Sequence, residues 1–354
     1  MKINKHIEIV RSSTVSLSSM GQRSCDAVSA VLSKHYTKVG VSIVNNLSDL
    51  EAVVDRSPDL AFLGMEFILT DPALGLIDSP KIWITDYLTK NGITYTGSSR
   101  IAHELGRYKS LAKQRVLDAG LKTSAFFVIK QSQSPSANDL PLTFPMFVKP
   151  TNGGGGLGID SDSLVYTFEQ LCAKTDSIAH NLKSDSLIEE YLPGREFSVA
   201  ILKDEYSADF SILPVELIAP PDAQGARILS CEIKSLDAEQ AVEVTDTIIR
   251  HKVNKLAADV FAALGARDYG RIDIRLDKYG TPQFLEANLI PSLISGYGSF
   301  PKACVLNINL DHESMILRIV ALGLAREVDS ESISEISRAN STMFSRSGAS
   351  FEPA

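Results

Sequence analysis

The chain has 354 residues, 44% of them apolar, with a formal net charge of −8. That length and apolar content suit two or three globular domains with substantial cores. The acidic balance offers no basic footprint for nucleic acid, so small anionic ligands need local basic sites.

In chain order, residues 7–10, 41–44, 60–63 and 93–95 are short apolar runs separated by helical patterns, which predicts α/β layering for the first hundred residues. Ser79 and Pro80 read as an N-cap and first helical residue ahead of a helix over 82–90, and Gly92 sits where a C-terminal glycine belongs. A second helix over 106–119 ends at Gly120 and leads into a strand over 125–129, and the Ser-rich stretch 131–139 reads as a loop. Then come an apolar run at 144–150, a run of glycines, a helical piece at 168–174 and a strand over 187–191. Strands over 197–202 and 207–213 precede a long helix with Ile249, Val253, Leu256, Val260 and Leu264 at helical spacing, closed by Gly265. From Arg326 onward the chain is rich in serine, the composition of a mobile tail.

Cys25, Cys172, Cys231 and Cys304 lie far apart with no CxxC pair, and the six histidines have no HExxH spacing. Neither a zinc ribbon, a disulfide framework nor a histidine metal site is therefore expected. The first ten residues lack the apolar run of a secretory signal, and no segment approaches the roughly 20 apolar residues of a membrane span. A cytoplasmic setting without membrane partners is the expectation.

Three stretches carry chemistry. In Tyr269-Gly270-Arg271-Ile272-Asp273-Ile274-Arg275-Leu276, period-2 alternation puts Arg271, Asp273 and Arg275 on one face and the aliphatic residues on the other. In Gln283-Phe284-Leu285-Glu286-Ala287-Asn288, Glu286 and Asn288 share a face, while Leu285, Ala287 and Leu289 turn toward a core. A turn at 277–280 sets Asp273 opposite Glu286 and Arg271 opposite Asn288. Opposed carboxylates repel unless something positive lies between them, and Asp, Glu and Asn oxygens suit Mg²⁺; a solvated hairpin with an incidental acidic pair is the other reading.

The second stretch is Lys149, which ends an apolar strand ahead of Thr151-Asn152-Gly153-Gly154-Gly155-Gly156-Leu157-Gly158. Such a run lets successive backbone N–H groups approach a phosphate chain, but it also suits a flexible surface hairpin, and it fits neither a Walker A nor a Rossmann spacing. The third is Leu187-Ile188-Glu189-Glu190-Tyr191-Leu192-Pro193-Gly194-Arg195-Glu196, where acids inside an apolar segment need hydrogen-bond donors. An adenine amino group and ribose hydroxyls would serve, with one of Glu189 and Glu190 on the exposed face.

With these residues in order, the chain up to about residue 325 resembles the ATP-grasp enzymes, specifically the D-alanine–D-alanine ligase family. The matching motifs run Tyr95-Thr96-Gly97-Ser98, Lys109, Val148-Lys149-Pro150, the glycine loop, Glu189 through Glu196, Gly270 to Asp273, and Leu285 to Asn288. The resemblance implies a mixed α/β, three-domain ATP-grasp architecture: an N-terminal α/β domain (1–105) and two ATP-clamping domains (106–190 and 191–328), followed by the tail (329–354). It implies that Lys109, Lys149, Gly154, Gly155 and Gly156 meet ATP phosphates, that Glu189, Glu190 and Leu192 lie near adenine, and that Glu196 binds ribose. Asp273, Glu286 and Asn288 would hold two Mg²⁺ ions, or Mn²⁺. Lys234 would reach the γ-phosphate, and Arg271 would stabilise an oxyanion. A homodimer is a family-level expectation only.

The implied reaction joins a small carboxylate to an amine: the carboxylate attacks the γ-phosphate, and the amine then displaces phosphate from the acyl phosphate. The substrate half departs from the family. Its N-terminal glutamate is missing from Arg11-Ser12-Ser13-Thr14-Val15-Ser16-Leu17, its loop serines are Gly155 and Gly156, and its lid tyrosine is Ser235. A His-Gly element is absent at Gly64-Met65-Glu66. Leu289-Ile290-Pro291-Ser292 and Gly296-Tyr297-Gly298-Ser299 replace the usual Ser-Pro-Gly and later serine. Arg11, Ser12, Ser292 and Tyr297 are therefore the candidate substrate residues, and the expected substrates are acids and amines other than two D-alanines. An ordinary D-alanine–D-alanine ligase, an ATP-binding protein that has lost ligation, and a phosphotransferase remain the alternatives.

Overall fold

The computed structural model describes residues 1–14, 17–154, 156–222, 225–236 and 238–326. The expected serine-rich tail and Gly155 lie outside the described residues.

β1 (Ile3–Arg11), β2 (Tyr36–Ile43) and β3 (Leu60–Leu63) form a parallel sheet in the order β2-β1-β3. The buried part of β1 and all of β3 are apolar where both faces are covered, with His6 and Glu8 the exceptions, while the edge strand β2 is largely exposed. Ile7 and Ile9 pack with Val28 and Leu32 of α1 (Gln22–His35), while Val10 packs with Leu50 and Val53 of α2 (Leu47–Asp55). Residues 93–95 do not form the expected strand. Gly92 and Gly97 bracket them at φ 70° and 81°, leaving room for a single bridge from Tyr95 to Ala61.

The helix expected over 82–90 starts late. β4 (Phe67–Leu69) pairs with β5 (Lys81–Trp83) across the short α3 (Gly75–Asp78), so Trp83, not Ser79, is the N-cap of α4 (Ile84–Lys90). The Phe67 and Trp83 rings meet edge-on at 5.2 Å, a non-local contact that overrides the local Ser-Pro signal. The helix expected over 106–119 is two helices, α5 (Arg100–Arg107) and α6 (Lys109–Asp118), broken at Tyr108 (φ −95°, ψ 95°). At the break the Lys109 N–H donates to Thr151 O at 2.9 Å, which ties the start of α6 to the glycine loop.

β6 (Phe126–Ile129), β7 (Met146–Pro150), β8 (Leu164–Val165) and β9 (Ser186–Glu190) form an antiparallel sheet in the order β6-β9-β7-β8. α7 (Phe168–Leu182) begins with a capping box between Thr167 and Gln170 and runs well past the expected 174. Its Leu171 and Ile178 pack on Met146, Val148 and Ile188.

The third sheet is built from β10 (Glu196–Lys203), β11 (Phe210–Ile218), β12 (Gln240–Glu243), β13 (Tyr269–Leu276) and β14 (Pro282–Asn288), in the order β12-β11-β10-β13-β14. The short helix α8 (Cys231–Ser235) precedes β12, and α9 (Thr247–Ala263) precedes β13. α9 lays Val253, Leu256 and Val260 on Ile272, Ile274 and Phe284, as its stripe predicts. Each such side chain contributes roughly 1.5–3 kcal/mol by burial. After β14 come α10 (Ser299–Ile308) and α11 (His312–Leu324); Ile316 and Ile319 of α11 share one core with Ile7 and Phe62 of the first sheet and Leu202 and Tyr269 of the third. No helix among the described residues is long and apolar enough to cross a membrane.

β13 and β14 pair Arg271 with Asn288 and Asp273 with Glu286, the expected partners. The register is reached by an unexpected route. Outward from the turn the pairs are Leu276–Pro282, Arg275–Gln283 and Ile274–Phe284, and a bulge at Leu285 then shifts the register by one. The expectation that Leu285 faces the core is therefore corrected. Phe284 is fully buried there instead, and Leu285 stands beside Glu286 on the cleft side.

Candidate active site

A cleft opens between the second and third sheets, lined among others by Lys149, Glu189, Glu196, Lys234, Asp273 and Glu286. The sequence places these six residues on six different elements, and the fold brings them to one pocket.

Glu189, 2% exposed on β9, is the hub at one end. Its Oε1 lies 2.5 Å from Lys113 Nζ and accepts from Ser124 Oγ at 3.1 Å, while Oε2 lies 2.6 Å from Lys149 Nζ. Lys113 Nζ also donates to Thr123 Oγ1 (2.6 Å), Ser124 Oγ (2.9 Å) and Phe284 O (3.2 Å), so α6, the segment just before β6, β9 and β14 converge on one buried ammonium. Burial alone would raise the Glu189 carboxyl, but the Lys113 and Lys149 charges hold it down at about 2. Burial pulls Lys113 down to about 8, a drop that Glu189 offsets only in part. For Lys149 the balance falls the other way: burial is outweighed by Glu189 and Glu286, and its pKa is raised. Glu190 is the exposed member of the acid pair, as expected.

Between β9 and β10, Leu192 is 4% exposed and lines the cleft. Glu196 Oε2 accepts from Arg275 Nη1 at 2.9 Å, and the Arg275 guanidinium lies 5.4 Å from the centre of the Tyr191 ring. Burial pushes the Glu196 carboxyl up despite Arg275.

At the other end, Arg271 grips Asp273 with two parallel bonds, Nε to Oδ1 (2.9 Å) and Nη2 to Oδ2 (2.8 Å). Ser198 Oγ donates to Asp273 Oδ1 at 2.9 Å. Glu286 lies 3.5 Å from Lys109 Nζ, which also donates to Gly153 O of the glycine loop at 2.6 Å. Burial would raise the Glu286 carboxyl, yet Lys109, Lys234, Lys149 and Arg271 together keep it far below the usual carboxylate range. Because Arg271 is already paired with Asp273 and Lys149 with Glu189, Glu286 is left facing Lys109 and Lys234, a local surplus of positive charge that a polyphosphate would fill.

The donor set fits a hard divalent cation. Arg271 and Ser198 fill Oδ1 of Asp273, but Oδ2 keeps a lone pair, and Asn288 Oδ1, which accepts the Ile290 N–H at 3.2 Å, keeps another. No cluster of three or more His, Cys, Asp or Glu able to hold a metal occurs among the described residues. An ion at this pair would draw its other ligands from phosphate oxygens or water.

Gly153, Gly156 and Gly158 of the glycine loop take φ 100°, 81° and 73°, and Ile159 just beyond them lines the cleft. A Cβ on Gly156 would come within 3.3 Å of the Cys231 backbone, while Gly154 has open space around it. The four candidate substrate residues are placed less uniformly. Ser12 is 1% exposed, donates to Asn45 Oδ1 at 2.7 Å and accepts from the Thr14 N–H. Arg11 donates to Gln22 Oε1 at 2.5 Å and to Ser12 O. Ser292 abuts Gly298, and the Tyr297 hydroxyl donates to Lys234 O at 2.9 Å. None of the four lines the cleft wall described above.

Sequence reasoning assigned no role to Lys113, Ser124 or Arg275. Lys113 had a signal: it follows Lys109 by one helical turn, between Ala112 and Val116, both of which are buried. Arg275 shares a strand face with Arg271 and Asp273.

A family model described as "D-ala D-ala ligase C-terminus" matches residues 116–321. Among curated relatives, the uncharacterized protein y4sG of Sinorhizobium fredii is 31% identical over 277 residues, 77% of this chain and 79% of that one. The D-alanine–D-alanine ligase of Hydrogenovibrio crunogenus is 29% identical over 233 residues, 66% of this chain and 70% of that one. Among solved structures, the D-alanine–D-alanine ligase of Bacillus anthracis complexed with ATP superposes with a TM-score of 0.69 at 19% identity, covering 92% of this chain and 99% of that one. The VanG D-Ala:D-Ser ligase of Enterococcus faecalis gives 0.65 at 17% identity, covering 90% and 99%.

Proposed function

This chain belongs to the D-alanine–D-alanine ligase family of ATP-grasp ligases, and we propose that it joins a small carboxylate to an amine other than two D-alanines, using ATP. The observation that carries the reading is the Asp273–Glu286 pair, opposed on β13 and β14 beneath Lys109, Lys149, Lys234 and Arg271. That arrangement suits a triphosphate, and ATP is the phosphoryl donor of the family.

In this reading Lys109, Lys149 and the glycine loop, Gly154 to Gly156, cradle the phosphates. Leu192 packs on adenine and Glu196 meets ribose. Glu189 has three of its four lone-pair sites taken, so its contribution is to hold Lys149 in place. Asp273, Glu286 and Asn288 would hold Mg²⁺, and the ion would supply neutralisation of phosphate charge. Lys234 neutralises the γ-phosphate as a substrate carboxylate attacks it. Arg271, already aimed along the carboxylate face, stabilises the oxyanion when the amine attacks the acyl phosphate. No protein nucleophile is required; positioning and charge neutralisation supply the catalysis.

The proposed units 1–105, 106–190 and 191–328 are supported by the three larger sheets, one in each unit, with α11 of the last packing into the core of the first. A cytoplasmic enzyme is the proposed setting.

Specificity away from D-alanine is supported by the N-terminal loop. The stretch Arg11 to Leu17 has no acid where the family reads an ammonium group with a glutamate just ahead of a Val-Ser-Leu run, and in it Arg11 bonds Gln22 and Ser12 bonds Asn45. Incubation with ATP, Mg²⁺ and D-alanine, followed by dipeptide analysis, tests this directly. Trace or no D-alanyl-D-alanine is expected; efficient synthesis would show an ordinary cell-wall ligase with a rebuilt pocket.

A further inference from the structure

The short helix that carries Lys234 is fastened on two sides. On one, the Cys231 N–H donates to Ile159 O at 3.0 Å, just past the glycine loop, and Gly156 touches the same backbone so closely that any Cβ would lie 3.3 Å from Cys231 Cα and N. On the other, the Tyr297 phenol reaches from the loop between β14 and α10 and donates to Lys234 O at 2.9 Å. The loop beneath that tyrosine is itself tight. The Tyr297 N–H donates to Ile294 O at 3.3 Å, and a Cβ on Gly298 would meet Ser292 O at 2.7 Å.

The bonded carbonyl lies in the last turn of α8, where intrahelical donors run out and an outside hydroxyl is a natural partner. Lys234 is thus held at its own backbone, at a point from which its charge still reaches Glu286. We propose that Tyr297 is a positioning residue, a clasp that holds the Lys234 helix closed over the cleft, and not a reader of the second substrate. Gly156 is its counterpart: the missing side chain lets the helix settle on the glycine loop while Tyr297 secures the far end. Gly156 and Tyr297 are then two parts of one lid closure. The inference rests on the ligase reading for what Lys234 does, but not for how its helix is held.

The test is amide hydrogen exchange, read by mass spectrometry on the nucleotide-free full chain, comparing wild type with Tyr297→Phe and Gly156→Ala. Tyr297→Phe keeps the ring and deletes the bond. Losing one hydrogen bond should speed exchange in residues 230–236 by roughly fivefold, with β13 and β14 unchanged. Gly156→Ala should open the same segment from the opposite side. Lys149→Ala should weaken binding of a non-hydrolysable ATP analogue while leaving exchange at 230–236 as in wild type. Unchanged exchange in that segment for Tyr297→Phe would overturn the clasp, as would an equal rise throughout β13 and β14. If wild type binds no nucleotide, the ligase reading fails while the nucleotide-free exchange still decides the clasp.

Discussion

The cleft between the second and third sheets and the loop after β1 spend their polar residues in opposite ways. In the cleft, Lys113, Glu189 and Lys149 satisfy one another, and the surplus cations converge on Glu286, so the cluster ends in an unmet demand for negative charge. After β1, Ser12 is consumed by local bonds to Asn45 and the backbone, and Arg11 is bonded to Gln22 and Ser12 O with its Nε left buried and unbonded, but no set of like charges converges there as it does on Glu286. Burying polar groups thus builds a binding site only where the charges do not cancel. Polar character alone marks neither region as a site.

The contrast breaks most sharply at Glu189. Glu189→Gln strands the Lys113 charge in a fully buried position, and removing one member of such a pair costs roughly 3–5 kcal/mol, readable by urea unfolding at pH 7. The pH dependence has a definite sign. A carboxyl held at about 2 in the fold, below its ordinary 4.5, contributes stability that is fully present above pH 4.5 and lost as pH falls toward 2. Wild type should lose that increment on acidification, and Glu189→Gln should lack that part of the acid limb. A variant as stable as wild type with an unchanged acid limb would deny the hub.

Next come Asp273→Asn and Glu286→Gln, which keep shape and remove charge. Each should lower nucleotide-dependent phosphate release about 10²–10³-fold, with melting temperature as the control for fold. Near-normal turnover in both would refute the metal assignment. Lys149→Ala should weaken nucleotide binding by roughly 1.5–3 kcal/mol, ten- to a hundredfold by calorimetry. The smallest effect is expected after β1. Ser12→Ala should remove about 1 kcal/mol of stability and leave nucleotide affinity untouched; lost turnover at unchanged stability would return Ser12 to the site.

Much of the cleft was legible because strand alternation is local. Arg271, Asp273 and Glu286 announce their shared face within a few residues, and α9 announces its apolar stripe. Leu285 was misplaced because a bulge leaves no mark in a period-2 pattern, although the pairing of Asp273 with Glu286 survived it. The break at Tyr108 depends on a bond from Lys109 to Thr151, and the start of α4 depends on Phe67 meeting Trp83. Partners so distant along the chain cannot be read from either segment alone. Lys113 shows the same limit, since its importance lies in three elements and a loop meeting at one ammonium.

The central claim is that this cleft makes an amide at the expense of ATP, and the mass of its products tests it most directly. Incubated with ATP, Mg²⁺ and pooled carboxylic and amino acids, the protein should yield a species one water lighter than the sum of an acid and an amine, with one ADP and one phosphate per bond formed. Nucleotide bound without amine-dependent phosphate release, or a phosphate ester as the only product, would contradict it.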